Sequence, residues 1–280
     1  MSRLIVNADD FGLTAGVNRA IVELHRAGVL TSTTLMANAG ATREAIQLAL
    51  ATPTLGVGCH VVLVDGEPVL DPEQVPSLID KSTGRFYPTL GKLLPRLYAG
   101  QIRAAEIEAE AAAQIIKLKT HGLALTHIDT HKHTHMFPPV LKAVLRAAKA
   151  AGIRAVRNPF EPAWSTRAAQ GAGLVRSAQV FVLRRFAPAF RRITAAQGLA
   201  TTDGAVAVAA TGVLNAAAVQ SLVATLPAGN WELVTHPGYN DADLARVRTR
   251  LRESRAIERE ALLALKGATG VELISFAALR

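Results

Sequence analysis

Two adjacent carboxylates, Asp9 and Asp10, follow a short apolar run near the start of the chain and precede Gly12. The apolar residues 4–6 predict a buried strand, so the acidic pair would stand at a rigid strand end. Neighbouring carboxylates repel each other unless a cation or another partner compensates them. We therefore expect one carboxylate to ligate a metal ion while the other handles a proton.

Two further segments carry residues that are able to complete a metal site. His60 lies in the apolar stretch 55–64, which predicts another buried strand, and a third segment carries polar residues at alternating positions: His127, Asp129, His131, His133 and His135. Alternate residues of an extended segment share one face, although Pro138 and Pro139 predict that a helix begins soon after. Imidazole and carboxylate ligands suit zinc, manganese, iron or cobalt, or magnesium when nitrogens are fewer.

The composition limits the class of protein. The chain has 280 residues, of which 50% are hydrophobic, and this size fits one large α/β domain or two small ones. The single cysteine, Cys59, excludes internal disulfides and fits a reducing compartment. We see no signal-peptide pattern and no apolar run of about 18 residues. We therefore expect a soluble, cytoplasmic protein.

The formal net charge is +9, and two arginine-rich stretches account for much of it. The stretch 246–259 is interleaved with acids, which predicts a solvated helix face. The stretch 181–193, FVLRRFAPAFRRI, mixes aromatics with arginines and is a candidate for contact with an anionic membrane surface. No nucleic-acid-binding module accompanies the charge, so we expect no nucleic-acid partner. A homo-oligomer is compatible with the sequence.

Strand and helix patterns alternate along the chain, which predicts a mainly parallel sheet. After the first strand we predict further strands over 29–36, 55–64, 123–128, 153–157, 231–235 and 271–276. We predict helices over 16–28, 41–50, 101–121, 138–151, 214–226 and 241–265. Segment 65–95 is predicted to be a long loop, and segment 158–202 is predicted to be irregular.

The candidate chemical residues occur just after apolar strands. This holds for the acidic pair, for Asp129 and His131, and for His236, while His60 lies within or at the end of a strand. The carboxyl ends of strands form the active site of a β/α barrel and the ligand crevice of an open parallel sheet. The spacing therefore predicts one common site.

Five motifs, in order along the chain, resemble the YdjC-like (ChbG) carbohydrate deacetylases: NADDFGLTAGVNRAI, VLTSTTLMAN, GVGCH, THIDTHKHTHMFP and ELVTHPGY. Within that family they are most similar to the hopanoid-biosynthesis-associated (HpnK-type) branch. The resemblance implies a deformed (β/α) TIM-like barrel with mainly parallel strands. It implies a single domain over 1–280, with an irregular insertion around 158–202. This sequence departs from the family in having Cys59 before His60 and no aromatic residue after Asp203.

The resemblance also implies roles for individual residues. Asp10, His60 and His131 match the metal ligands, Asp9 the general base and His236 the general acid. The cofactor would be one divalent metal ion, magnesium by the family resemblance or zinc by the ligand types. Three further residues are predicted to support the ligands or to contact the substrate: Asp129, His133 and His135.

The activity implied is metal-dependent removal of an acetyl group from an N-acetylated amino sugar. The branch suggests a lipid-linked substrate, an N-acetylglucosaminyl hopanoid, and a place at the inner membrane surface. A chitooligosaccharide is the alternative substrate. The HKHTH cluster also resembles ligands of amidohydrolases and phosphoesterases, and a sugar- or lipid-binding barrel with a structural metal is the non-enzymatic alternative. Asp9 and His236 argue against binding alone, which needs neither an acid nor a base.

Overall fold

The first strand, β1 (Ser2–Phe11), lies in the middle of the sheet and is buried along most of its length. The structure, a computed structural model, describes residues 1–169, 173–267 and 270–279. Both faces of β1 are apolar, with Leu4, Ile5 and Val6 no more than 1% exposed. A strand buried on both faces is typical of parallel sheets that helices cover.

The strands that follow are β2 (Ser32–Leu35), β3 (Gly56–Val61), β4 (Ile79–Asp80), β5 (Arg85–Phe86), β6 (Ile128–Thr130), β7 (Gly204–Val206), β8 (Gly229–Thr235) and β9 (Glu272–Leu273). Within the described ranges, seven strands form one sheet in the order β6-β3-β2-β1-β8-β7, with β9 paired to β1. Every strand pair of this sheet is parallel, whereas β4 and β5 form a separate antiparallel pair. The predicted mainly parallel α/β fold is confirmed.

The helices are α1 (Ala15–Arg26), α2 (Thr42–Leu50), α3 (Leu90–Tyr98), α4 (Ala104–Thr120), α5 (Pro138–Ala150), α6 (Ala163–Ala168), α7 (Leu174–Leu183), α8 (Ala187–Gln197), α9 (Ala216–Ala224), α10 (Ala242–Arg246) and α11 (Ser254–Leu263). Helix α1 begins where the Thr14 hydroxyl accepts a hydrogen bond from the Val17 amide. Helices α4 and α5 pack against each other, and α5 also packs against α8.

The open side of the curled sheet is crossed by the chain segment 155–160, which links the two edge strands. Val156 forms a parallel bridge with Ile128 of β6. Farther along, the Ala205 amide of β7 donates a hydrogen bond of 3.3 Å to the Phe160 carbonyl. The ring of strands is therefore completed by single bridges and loop hydrogen bonds, which accounts for a deformed barrel.

Two segments predicted without regular structure contain helices. Segment 65–95 holds the β4–β5 hairpin and the first part of α3, and segment 158–202 holds α6, α7 and α8. Both predictions were wrong because prolines were read as breaks, whereas Pro162 immediately precedes α6 and Pro188 lies in the first turn of α8. Residues 170–172 of the second segment lie outside the described residues.

The predicted helix over 241–265 is two helices, α10 and α11. Val247 ends α10 in an extended conformation, with ψ of 136°. In the segment between the helices, Arg248 forms an ion pair of 3.7 Å with Asp65. The arginine-rich stretch is therefore interrupted between α10 and α11 and does not form one continuous helix face.

Strand bounds also differ from the predictions. Strand β6 begins at Ile128, where the predicted strand ended. The predicted strand over 153–157 consists of isolated bridges, because this segment joins neighbours on both sides without a continuous ladder. Strand β7 was not predicted, since three small residues give too weak a pattern. Within the described part of the chain, every helix is too short or too polar to cross a bilayer.

Gly58 of β3 lies close to the buried ring of His127, so a substitution at Gly58 tests how tightly the core is packed there. An added Cβ at Gly58 would lie 2.6 Å from Cε1 of His127, whose ring stacks on Phe276 with 3.8 Å between centroids. We predict that Gly58→Ala lowers the free energy of unfolding by about 1–3 kcal/mol, because the packed ring must move. Urea denaturation measures the change.

The matched control is Gly91→Ala on α3, where the added Cβ has only the Thr89 hydroxyl as a neighbour, at 3.8 Å. At this exposed helical position, Gly91→Ala should raise the free energy of unfolding by about 0.5–1 kcal/mol, since alanine loses less backbone entropy on folding than glycine. Equal unfolding free energies for Gly58→Ala and the unmodified protein would contradict the packing described here.

Candidate functional site

A break in the register of β1 brings both carboxylates of the acidic pair toward one place. The pairing of β1 with β2 shifts at this point, and Asp10 has a left-handed φ of 65°. Successive residues of a regular strand point to opposite faces. Here Asp9 Oδ1 lies 3.2 Å from the Thr34 hydroxyl, and Asp10 Oδ1 lies 3.5 Å from His60 Nε2. Because the Thr34 hydroxyl also lies 3.2 Å from His60 Nδ1, both acids adjoin His60.

Three of the predicted ligands converge. Nε2 of His60, Nδ1 of His131 and Oδ1 of Asp10 are separated by 3.3, 3.4 and 3.5 Å. Zinc binds nitrogen and oxygen ligands at about 2.0–2.2 Å, so its tetrahedral ligand atoms lie about 3.3–3.6 Å apart. Asp10 Oδ1 is buried and has no hydrogen-bond partner. The three residues therefore fit a divalent metal ion, and the side chain of His131, 20% exposed, leaves the group open to solvent.

A second group of three, Asp9, His60 and Asp129, also lies close enough to hold an ion within the described residues. Both oxygens of Asp9 and one oxygen of Asp129 already accept hydrogen bonds from Arg157. The remaining Asp129 oxygen lies 2.7 Å from His60 Nδ1. This group is occupied by its own contacts, so the group with Asp10 is the better candidate.

The Asp129 carboxylate contacts the His60 ring, and such a contact is what the predicted role of supporting a ligand would need. Its oxygen at Nδ1 turns the opposite nitrogen, Nε2, toward Asp10. Burial alone would lower the pKa of His60, but Asp129, Asp9 and Asp10 together raise it to about 9. Three carboxylates therefore surround His60, and Arg157 compensates two of them, Asp9 and Asp129.

Arg157 is a site residue that the sequence analysis missed. Its guanidinium is fully buried and donates to both oxygens of Asp9, at 2.6 and 2.8 Å, and to Asp129. It also donates to Glu232 Oε1 at 2.7 Å. The available signal was weak, because Arg157 is one of two arginines, with Arg154, in the predicted strand 153–157.

The Arg157 network sets the charge state of its acids. Burial raises the pKa of Asp9, but the attraction of Arg157 outweighs it and holds that pKa well below its usual range. The pKa of Asp129 is lowered for the same reason. Burial of Glu232 prevails over Arg157 and raises its pKa to about 7. At neutral pH, Asp9 and Asp129 are therefore carboxylates.

His236, from the THPG motif, faces Asp9. Its Nε2 lies 3.6 Å from Asp9 Oδ2, and its side chain is 11% exposed. The His236 amide donates a hydrogen bond of 2.6 Å to Glu258, which also accepts from the Gly212 amide at 3.3 Å. Glu258 thus fixes the His236 loop to the loop after β7.

The remaining histidines of the third segment occupy different environments. His135 is fully buried between the Thr130 hydroxyl, at 2.8 Å, and the Arg157 carbonyl, at 3.3 Å. Burial lowers its pKa to about 4, so it supports Arg157 as a neutral ring. His127 is also buried, with its pKa lowered by burial to about 3. His133 has a left-handed φ of 52° and is partly exposed, while its Nδ1 is buried without a hydrogen-bond partner.

Arg255 is the second missed residue, and it corrects the prediction of a solvated arginine face. Its side chain is 1% exposed, and Nη2 lies 2.5 Å from Asp10 Oδ2. The arginines around it differ, since Arg246 and Arg248 are 81% and 69% exposed. The acidic residues around Arg255 in sequence led to the prediction of a solvated face, although the Arg255 side chain points inward.

Removing the Arg157 guanidinium should strongly destabilise the protein. Arg157→Met leaves Asp9 and Asp129 buried without their cation, and we expect unfolding to become easier by about 3–5 kcal/mol. Arg157→Lys keeps the charge but loses the bidentate geometry, so its free energy of unfolding should lie between those of Arg157→Met and the unmodified protein. The free energy of unfolding in urea is the measurement.

The control is Arg85→Met. Arg85 pairs with Glu67 at 2.7 Å, but the two side chains are 55% and 60% exposed, so the loss should stay below about 1 kcal/mol. If Arg157→Met and Arg85→Met lowered the free energy of unfolding by similar amounts, a structural role for the buried network would be refuted.

Known proteins resemble this chain in sequence, one of them over most of its length. A carbohydrate deacetylase from Thermoanaerobacter pseudethanolicus is 30% identical over 262 residues, which cover 94% of this chain and 91% of the relative. Another, from Brevibacillus brevis, is 48% identical over 147 residues, 52% of this chain. That match spans 56% of the relative, somewhat over half of its length.

The fold has a close counterpart among solved structures. A candidate cellobiose-phosphate cleavage protein from Enterococcus faecalis V583 superposes with a TM-score of 0.77 at 25% identity, over 98% of this chain and 97% of that one. The model of the family described as YdjC-like protein matches residues 3–266. Together with the five motifs, this match establishes that the chain belongs to the YdjC-like protein family.

Proposed function

We propose that the protein is a metal-dependent N-deacetylase that hydrolyses the acetamide of an N-acetylated amino sugar. The observation that carries the proposal is the convergence, around His60, of a metal-fitting group and a facing acid–base pair. The group is Asp10, His60 and His131, and the pair is Asp9 and His236, 3.6 Å apart. The relatives named carbohydrate deacetylase support the same class of hydrolase.

The chain supplies a proton acceptor and a proton donor. Asp9, kept ionised by Arg157, accepts the proton of the attacking water, and His236 protonates the departing amine. A divalent ion at the three ligands would lower the pKa of a bound water and polarise the amide carbonyl. Magnesium is our first choice by family resemblance, and zinc is the alternative because two of the ligands are imidazoles.

We propose the substrate from the branch of the family that the sequence resembles and from the names of its relatives. Resemblance to the hopanoid-associated branch favours an N-acetylglucosaminyl hopanoid. A relative from Serratia marcescens named chitooligosaccharide deacetylase, 40% identical over 152 residues, supports the alternative of a chitooligosaccharide. His133, partly exposed beside the ligands, is our candidate for contact with the sugar.

An amidohydrolase or phosphoesterase with two metals has less support. Such a site would recruit several of His127, His133 and His135 as ligands. Among the described residues, neither candidate metal group includes any of them. His135 instead bonds Thr130 and the backbone of Arg157.

Acetate release tests the proposed activity. Metal-stripped protein should release no acetate from chitobiose or from an N-acetylglucosaminyl hopanoid, and reconstitution with Mg²⁺, Mn²⁺ or Zn²⁺ should restore release. Asp9→Asn and His236→Gln should each lower kcat about 10²–10⁴-fold, because each removes one proton transfer. The substrate with the higher kcat/KM decides between the two sugars.

His121→Gln is the control for the histidine change, since His121 is exposed at the end of α4. It should retain full activity. Acetate release that is unaffected by chelation, or by Asp9→Asn, would overturn the proposal. Metal binding without release from either substrate would favour another hydrolase or a binding protein.

We also propose that the protein lies at the inner membrane surface through α7, α8 and their junction. Phe181 is 73% exposed and Val182 49% exposed, and Arg185, Arg191 and Arg192 are exposed nearby in the chain. None of these arginines has an ion pair in the part of the chain that the structure describes. Exposed apolar residues with unpaired arginines are typical of contact with anionic lipid.

Vesicle sedimentation tests this surface. The protein should bind phosphatidylglycerol vesicles and not phosphatidylcholine vesicles, because each arginine near an anionic surface contributes about 1 kcal/mol. Arg191→Gln with Arg192→Gln, or Phe181→Ser, should weaken binding at least tenfold. Ile116→Ser on α4, 56% exposed, is the matched control and should bind normally. Equal binding to both lipids would exclude an electrostatic membrane surface.

A further inference from the structure

Arg255 divides the two oxygens of Asp10 between different neighbours. Its Nη2 lies 2.5 Å from Oδ2, while Oδ1 has no hydrogen-bond partner and faces His60 and His131 at 3.5 and 3.4 Å. A free carboxylate can bind a cation through one oxygen or through both. In this protein the second oxygen is already engaged.

We propose that Arg255 is a positioning residue that makes Asp10 a one-oxygen metal ligand. The inference rests on the proposed metal site and assigns a role that neither the motifs nor the relatives indicate. By holding Oδ2, Arg255 keeps Asp10 from closing on the ion with both oxygens. A coordination position then stays open for water and for the substrate carbonyl, as catalytic metal sites require.

The Arg255 guanidinium is dedicated to this one contact. Its Nε and Nη1 are buried without a hydrogen-bond partner, and Asp10 is its one ion-pair partner within the described residues. Arg157, by contrast, binds three acids. Arg255→Met therefore removes the partner of Asp10 Oδ2, while Arg157 keeps its three acids.

The backbone around Arg255 explains how the guanidinium reaches the site. The Arg255 amide donates to the Leu251 carbonyl, and the Gly238 amide donates to the Arg255 carbonyl, each at 3.1 Å. A Cβ at Gly238 would lie 3.1 Å from Arg255 Cδ and 3.1 Å from Cγ2 of Val17. Gly238, the glycine of the THPG motif, therefore leaves space for the Arg255 side chain. The break between α10 and α11 lets that side chain point toward Asp10.

Arginine at position 255 suits the geometry of the Asp10 carboxylate. Asp10 holds an uncommon left-handed φ of 65°, so its side chain is placed by the backbone before any ion binds. A planar guanidinium fixes the carboxylate orientation through a charged hydrogen bond. A lysine or a glutamine preserves one donor to Oδ2, whereas a methionine of similar length preserves none.

Cobalt(II) substitution tests the proposal with a readout other than activity. Calorimetry first measures Co²⁺ binding to metal-stripped protein, with His60→Ala as the variant that should lose it. The visible spectrum of the bound Co²⁺ then reports its coordination number. Arg255→Met should shift the spectrum toward higher coordination and lower kcat by at least about tenfold, a typical effect of losing a residue that orients a ligand.

Arg255→Lys should keep the spectrum of the unmodified protein, and so should the control Arg248→Met, whose arginine is 69% exposed. If Arg255→Met does not fold, Arg255→Lys and Arg255→Ala are compared instead. A Co²⁺ spectrum unchanged by the loss of the guanidinium would overturn the role of Arg255. Failure of the unmodified protein to bind Co²⁺ at all would instead count against the proposed metal site.

Discussion

The structure depends on one buried guanidinium. Arg157 donates to carboxylates from three strands, namely Asp9 of β1, Asp129 of β6 and Glu232 of β8. These strands lie at the centre and on both sides of the curled sheet, and Arg157 itself lies on the segment that crosses its open side. Because a buried charge without partners costs several kcal/mol, the sheet cannot open at this place without exposing or unpairing four ionisable groups. The interaction that joins the crossing segment to three strands of the sheet therefore also organises the candidate site.

Two arginines resolve the repulsion within the acidic pair. Asp9 binds Arg157 through both oxygens, whereas Asp10 binds Arg255 through one and leaves the other for a cation. The carboxylates are neighbours in sequence but have separate charge partners, and the left-handed backbone at Asp10 allows them to do so. This separation gives the two acids different chemistry. Asp9 is held ionised by Arg157, and Asp10 keeps one oxygen without a hydrogen-bond partner, which is what the proposed roles of proton acceptor and metal ligand require.

Carboxylates also hold the loops around the site. Glu258 accepts hydrogen bonds from the amides of His236 and Gly212, and Glu161 accepts from the amides of Ala207 and Ala209. Loops at strand ends carry the chemistry in barrels of this kind, and such loops need rigid anchoring for their side chains to keep their geometry. The loop after β7 is therefore anchored from two sides, by Glu258 and by Glu161.

Local patterns were enough to identify the strand-end residues. Asp9, Asp10, His131 and His236 follow apolar runs, and His60 lies within one. The polarity of parallel strands brings such positions to one edge of a sheet. The two buried arginines that pair with the acidic residues could not be found in this way. Arg157 lies 148 residues from Asp9, and Arg255 lies 245 residues from Asp10. Whether a charged side chain is buried depends on a partner that only the fold brings near, and in sequence each arginine looks like any solvated one. Sequence therefore determined the ligand and proton-transfer candidates, and tertiary structure decided which charges compensate them, because electrostatic pairing is a property of distance in space.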